Sequence, residues 1–216
     1  GSPKGELSVT MQYVKYIMKK FPQHDIDIVE ISSRIKKIED DEKAFGEIID
    51  RVRASDGVIW GVPLYVFLVP SQYKRFIELV SERNAAGAFA GKYAAVITTS
   101  IHFFDHTAHN YMRALCDDLA MKFAGSFSAS MYDLVRRAER ERYRKFIAVM
   151  FRRIAADTPS SRAYFPVKGK KFDYRPSKIK ETVDPGNRNI LILSDAGGAS
   201  SNLARMVGRL RSSFTG

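Results

Sequence analysis

The amino-acid sequence predicts an α/β domain: a doubly wound parallel sheet with helices on both faces, arranged as three α/β/α layers. Two observations carry that expectation. Segments with strand periodicity alternate with segments of helical periodicity, and every crossover is long enough to hold a helix. Several strand segments are also continuous apolar runs, as strands covered on both faces require.

The elements follow in order. Residues 1–7 form a glycine- and proline-containing loop. From Ser8, the apolar residues Met11, Val14, Ile17, Met18 and Phe21 recur at helical spacing, and Pro22 closes that helix. Residues 25–31 (DIDIVEI) alternate as a strand does. Residues 40–54 make a second helix with Phe45, Ile48, Ile49 and Val52 as its buried stripe, and residues 57–62 (GVIWGV) a buried strand. A helix over 71–83, a buried strand over 92–99, a helix over 108–120 and a strand over 121–128 come next. A long basic helix over 132–155 ends the alternation. After a polar linker, residues 189–194 (NILILS) read as a buried strand, followed by a glycine loop and a helix over 200–212. The domain expectation is therefore 1–158 for the first unit, 159–188 for a basic linker, and 189–216 for an extra strand–loop–helix unit that opens a second α/β domain.

Bulk composition narrows the function classes. A chain of 216 residues supports one good core more readily than two. No run of eighteen apolar residues exists, so no membrane span is expected, and no basic-then-apolar leader opens the sequence. Cys116 is the single cysteine, which excludes a disulfide framework and a cysteine-rich cluster and makes the cytoplasm the default. The net charge is +11, but the excess is local. Eight Arg/Lys face two Glu between Arg136 and Arg153, and six face one Asp between Lys168 and Lys180. A solvated helix face and a basic connecting segment account for that pattern, and nucleic acid is not an expected partner.

On a doubly wound sheet, ligands bind where the strands end, so the loops at 1–7, 63–70 and 100–107 are the places to seek function. The first leads straight into a helix and offers Ser2, Ser8 and Thr10 hydroxyls and the Lys4 ammonium to a phosphate. Equally, Ser8 reads as an ordinary N-cap. The second, with Pro63, Leu64, Tyr65 and Val66, is apolar and aromatic, as suits a flat heteroaromatic ring. The third begins with the hydroxyls of Thr98, Thr99 and Ser100 and continues through His102 and Phe103. His102, His106 and His109 lie close together with Asp105, yet the spacing matches no HExxH pattern, and no metal is expected. A Walker lysine loop, a G-x-S-x-G elbow and the G-x-G-x-x-G fingerprint are all absent.

Taken in order, GSPK with S-x-T at a helix start, GVPLYVFLVPSQYKRFIE, and AAVITTS with its histidine-containing loop resemble the NADPH-dependent FMN reductase family and its iron–sulfur flavoprotein cousins. The resemblance covers residues 1–134 and implies a flavodoxin-like fold. It implies FMN with its phosphate near Ser2, Lys4, Ser8 and Thr10, and its ring against Pro63, Leu64, Tyr65 and Val66 and against residues 99–103, which include Thr99, Ser100, His102 and Phe103. Hydride would pass from NAD(P)H through flavin to a quinone, a free flavin or another small-molecule acceptor. The flavin itself carries the reaction and no catalytic side chain is assigned: His102 beside the ring suits a reduced, anionic flavin, and equally suits a histidine satisfied by a neighbouring carbonyl. A homodimer or homotetramer is the usual assembly of the family. The cysteine cluster of the cousins is missing, so no iron–sulfur cluster is expected, and Lys4 stands where arginine is usual. A sheet of this type also has a strand directly before the phosphate loop, so an upstream first strand, or residues 189–194, is expected to fill that slot. The alternatives are a non-catalytic flavodoxin-type electron carrier and a flavin-free interaction module.

Overall fold

The computed structural model describes residues 2, 4–102, 104–166, 172–198 and 200–215. Its sheet has three parallel strands in the order β1 (Gly57–Pro63), β2 (Tyr93–Ser100), β3 (Lys122–Ser130). Successive β2 residues face opposite layers. Ala94 and Val96 join Trp60 and Val62 of β1 in one apolar cluster, which takes in Phe45, Ile48 and Ile49 of α3 (Glu42–Ala54). Tyr73, Phe76 and Leu79 of α4 (Ser71–Glu82) and Met112 and Cys116 of α5 (Asp105–Asp118) belong to the same cluster. On the other face, Ile97 packs with Tyr13 and Ile17 of α1 (Val9–Lys20) and with Tyr143 and Ile147 of α6 (Arg137–Ala155). The three layers are therefore present with the sheet in the middle. Among the described residues, no helix is long and apolar enough to cross a membrane.

Two expected strands are corrected. Residues 25–31 run without regular secondary structure and join no ladder, although Ile26 and Val29 still pack against opposite clusters, as strand alternation demands. Residues 189–194 likewise form no strand, and Leu191 and Leu193 are exposed. The physical reason is shared. Strand periodicity prepares a segment for pairing, but a strand exists only with a hydrogen-bonded neighbour, and no described residue pairs with either segment or with the outer edge of β1. The short helix α2 (Ile35–Asp40) was not expected from sequence, and α3 begins at Glu42 because Asp41 accepts from the Lys43 and Ala44 N–H groups as its N-cap. The basic helix divides at Arg136, whose extended backbone separates a 3-10 turn (Asp133–Val135) from α6.

The chain divides into two compact units, Gly1–Pro166 and Val167–Gly216. The second holds α7 (Asn202–Arg211), capped by the Ser201 hydroxyl on the Ala204 N–H. Its amphipathic residues Leu203, Met206 and Leu210 stay largely exposed.

Three helices of the first unit end in the same way. After α4, α5 and α6, the residues Asn84, Ala120 and Asp157 adopt left-handed backbone (φ 52°, 54° and 42°). The next N–H then reaches back to the helix, as in Ala85 to Val80 O, Met121 to Cys116 O and Thr158 to Arg153 O. Glycine serves this position best because it has no Cβ to strain. Ala120 is exposed and loses no packing on replacement. Ala120→Gly is expected to raise stability by about 1 kcal/mol, measured by urea unfolding; an unchanged or lower midpoint would contradict the assigned strain.

Candidate functional site

The carboxyl ends of the three strands are tied together through β2. The Leu64 N–H donates to Thr99 O at 3.0 Å, which fastens the loop after β1 to β2. The hydroxyls of Thr10 and Thr99 bond at 2.7 Å in a buried contact, which fastens the start of α1. Gly61 permits that close approach: a Cβ there would stand 3.3 Å from Thr10 Cγ2. On the far side, the Thr98 hydroxyl bonds His109 Nε2 at 2.8 Å, and Ser126 of β3 meets His109 Nδ1 at 3.2 Å.

The loop after β2 is organised by Asp105. The Ser100 hydroxyl donates to it at 2.7 Å, and the Ser128 hydroxyl and His102 Nδ1–H donate to its other oxygen, His102 at 3.2 Å. Burial alone would raise the Asp105 carboxyl, but these donors outweigh it and hold the pKa below the usual carboxylate value. With Nδ1 committed, His102 turns Nε2 toward Asp133 Oδ2, 4.0 Å away. Asp133 is itself buried and accepts from the Ser130 N–H at 2.8 Å. His102 thus stands half-exposed between two carboxylates at the strand ends.

A bulge in β3 makes this possible. Ala94 pairs with Phe123, but Ala95 pairs with Gly125, so Ala124 is the extra residue. One inserted residue reverses which side chains face which layer. Phe127 and Ala129 therefore join the α1/α6 cluster, while Ser126 and Ser128 turn to α5 and meet His109, Asp105 and His102.

The expected site residues fall into three groups. Tyr65 and Val66 are exposed, Leu64 and Ser100 partly so, and Pro63 and Thr99 are buried where β1 and β2 end. Lys4 is exposed, and its N–H reaches Ser2 Oγ at 3.3 Å. Ser8 and Thr10 are buried with committed hydroxyls, Ser8 as the N-cap of α1 on the Met11 N–H at 3.1 Å and Thr10 on Thr99. The two loops after β1 and β2 meet through Phe67 and Phe104, whose rings stand edge-to-face with centroids 4.9 Å apart. Phe103 lies outside the described residues, as do Gly1 and Pro3 of the first loop. Sequence reasoning missed Ser126, Ser128 and Asp133. The serines alternate with apolar residues at the end of a strand (GSFSAS), which was the available signal, but only the bulge decides where they point.

Chemically, the arrangement offers N–H donors and a cation at the start of α1, an apolar shelf at Tyr65 and Val66, and a carboxylate-held imidazole. A parallel three-layer domain whose loops converge in this way is a flavodoxin-like domain. The chain belongs to the NADPH-dependent FMN reductase family, which matches residues 1–133, and that is a family of oxidoreductases. It is 31% identical over 61 residues to the FMN-dependent NADH:quinone oxidoreductase of Vibrio vulnificus (strain YJ016), a match covering 24% of this chain and 31% of that protein. The chain therefore aligns with about a third of the length of that relative. Among solved structures, it resembles an NADH:FMN oxidoreductase (EMOB) in its apo form, with TM-score 0.54 and 17% identity over 72% of this chain and 86% of the other. RosB with its bound intermediate, a riboflavin-5'-phosphate derivative, gives TM-score 0.53 and 11% identity over 90% and 93% of the two chains. An NADPH-quinone reductase from P. pentosaceus gives TM-score 0.50 and 13% identity over 68% and 90%.

Burial pushes the pKa of His109 below the ordinary imidazole value, with Asp105 partly opposing the shift. The folded state therefore resists a proton that the unfolded chain accepts as pH falls through about 6.5. Stability from this residue is present above that pH and is lost below it. His109→Gln is expected to flatten the fall in melting temperature between about pH 7 and pH 5; an identical slope in both proteins would refute the assignment.

Proposed function

We propose that this chain binds FMN at the carboxyl ends of β1 and β2 and passes reducing equivalents from NAD(P)H through it to an electron acceptor. The observation that supports this most is the convergence on Thr99: one residue holds both the phosphate loop and the ring loop in place. The donor set suits the cofactor. The Val9 and Thr10 N–H groups at the start of α1 and the Lys4 ammonium suit a phosphate, with Ser2 beside them. Leu64 has spent its N–H on Thr99 O, so the Tyr65 and Val66 N–H groups are the donors left for ring oxygens and nitrogens. FMN supplies the hydride-accepting ring; the chain positions it and tunes its surroundings. His102 is the side chain that holds a proton, on Nδ1, beside that ring. The free, buried Cys116 thiol, its pKa raised by burial to about 12, fits a reducing compartment and takes no part in the chemistry.

The test is the visible absorbance spectrum of the purified protein, repeated after adding FMN and then NAD(P)H under argon. Flavin bands that bleach with nicotinamide are expected. Absence of bands together with failure to bind added FMN would remove the cofactor from this reading.

A variant tests the phosphate loop. Because the Ser8 and Thr10 hydroxyls are spent inside the protein, they act by placing the loop rather than by touching phosphate. Ser8→Ala with Thr10→Ala is expected to weaken FMN binding roughly thirtyfold, at ~1 kcal/mol per lost hydrogen bond. Fluorescence titration reads the affinity, and an unchanged value would sink the loop assignment.

A further inference from the structure

Between β3 and α6 the chain turns large apolar side chains outward: Met131, Tyr132 and Val135 are 52%, 64% and 76% exposed. Single exposed apolar residues are ordinary, but three within one turn form a patch. The patch adjoins the site, because Asp133, in the same turn, stands 4.0 Å from His102 Nε2.

The segment that follows is cationic toward solvent. Arg136, Arg137, Arg142, Lys145 and Arg152 are all exposed. Other basic residues of the helix are spent internally: Arg140 donates to Leu134 O, Arg153 to Ala124 O, and Arg144 to Glu141. Glu139 neutralises Arg142 at 3.1 Å. Arg136, Arg137, Lys145 and Arg152 form no salt bridge among the described residues. Arg142 and Lys145 also border a cleft of about 460 Å³ along the outer edge of β3 at Ser126–Ser128. An apolar patch beside uncompensated charge is the anatomy of a transient protein interface.

We propose that this turn and the exposed face of α6 dock a small acidic redox protein that serves as the electron acceptor. The inference rests on the oxidoreductase reading above and names the acceptor class for that site. Charge decides the occupant. A second copy of a chain with net charge +11 is repelled from this face, whereas an acidic carrier is drawn to it. The apolar residues then form the dry centre of the contact next to His102. The reaction balances as NAD(P)H plus two oxidised one-electron carriers giving NAD(P)⁺, one proton and two reduced carriers.

The experiment uses the full chain loaded with FMN and follows NAD(P)H oxidation with three acceptors: rubredoxin as an acidic carrier, cytochrome c as a basic one, and menadione as a small uncharged one. Rubredoxin is expected to show a kcat/KM at least about tenfold above that of cytochrome c at low salt, an advantage that disappears at about 300 mM NaCl. The variant Arg136→Glu/Arg137→Glu/Lys145→Glu/Arg152→Glu is expected to lose the same advantage while keeping its menadione rate. Equal rates with the two carriers, or a rubredoxin rate indifferent to salt and to charge reversal, would overturn the proposal. Binding of a short DNA duplex that depends on these four residues, with no preference for rubredoxin, would overturn it too and assign the face to nucleic acid. Failure of the wild-type protein to reduce menadione would bring down the oxidoreductase reading, and the proposal with it; the menadione rate tells the two failures apart.

Discussion

The structure depends on β2. It is the middle strand of the sheet, and every residue from Tyr93 to Thr99 is buried. A strand covered on both faces has no freedom of register, because a one-residue slip would exchange its two faces. Its small residues Ala94 and Ala95 leave room for large neighbours on either side, and its end is fixed as firmly as its middle. Three successive residues there carry hydroxyls that organise the site: Thr98 holds His109, Thr99 holds Thr10, and Ser100 holds Asp105, while the Thr99 carbonyl accepts from the Leu64 N–H. Rigidity of the core thus reaches loops that have little packing of their own.

Backbone strain separates structural turns from site turns. Among the described residues, six non-glycine residues have positive φ. Three close helices and are repaid by the returning N–H bonds of that motif. The other three, Phe67, His102 and Phe104, lie in the loops that follow β1 and β2. Phe104 is the N-cap residue of α5, a position that ordinarily takes extended backbone, and Phe67 and His102 lie at no helix terminus. Strained backbone of this kind persists where the surroundings over-determine it, commonly at ligand sites. For His102 the surroundings are visible: its N–H donates to Ser100 Oγ at 2.8 Å and its ring is held by Asp105 and Ser128.

Legibility from sequence followed the range of the interaction. The buried strands and their helices were readable because apolar periodicity is local, and the ends of β1, β2 and α4 fell within a residue of expectation. Residues 25–31 were readable in pattern and misread in outcome, since pairing depends on a neighbour the segment cannot specify. At the site, the loops were legible from their position after buried strands, while the roles of individual hydroxyls were not. Ser8 and Thr10 carry the same chemistry whether they face a ligand or the protein, and only the fold shows them turned inward. Asp133 is 30 residues from the nearest expected site residue, Phe103, and no local signal links them.

The bulge at Ala124 shows how one backbone irregularity joins these parts. With regular pairing, Phe123, Gly125 and Phe127 would share a face, and Ser126 and Ser128 would point at α6. Phe127 would then leave the cluster it forms with Tyr143, and His109 and Asp105 would each lose a hydroxyl partner. With the bulge, the strand satisfies an apolar layer on one side and a polar site on the other. Arg142 meanwhile lies over the Phe127 ring at 4.9 Å, so the face of α6 that carries the surplus charge is anchored to the residue whose orientation the bulge decides. The site and the seat of α6 beside it therefore both depend on the orientation that the inserted residue gives to β3.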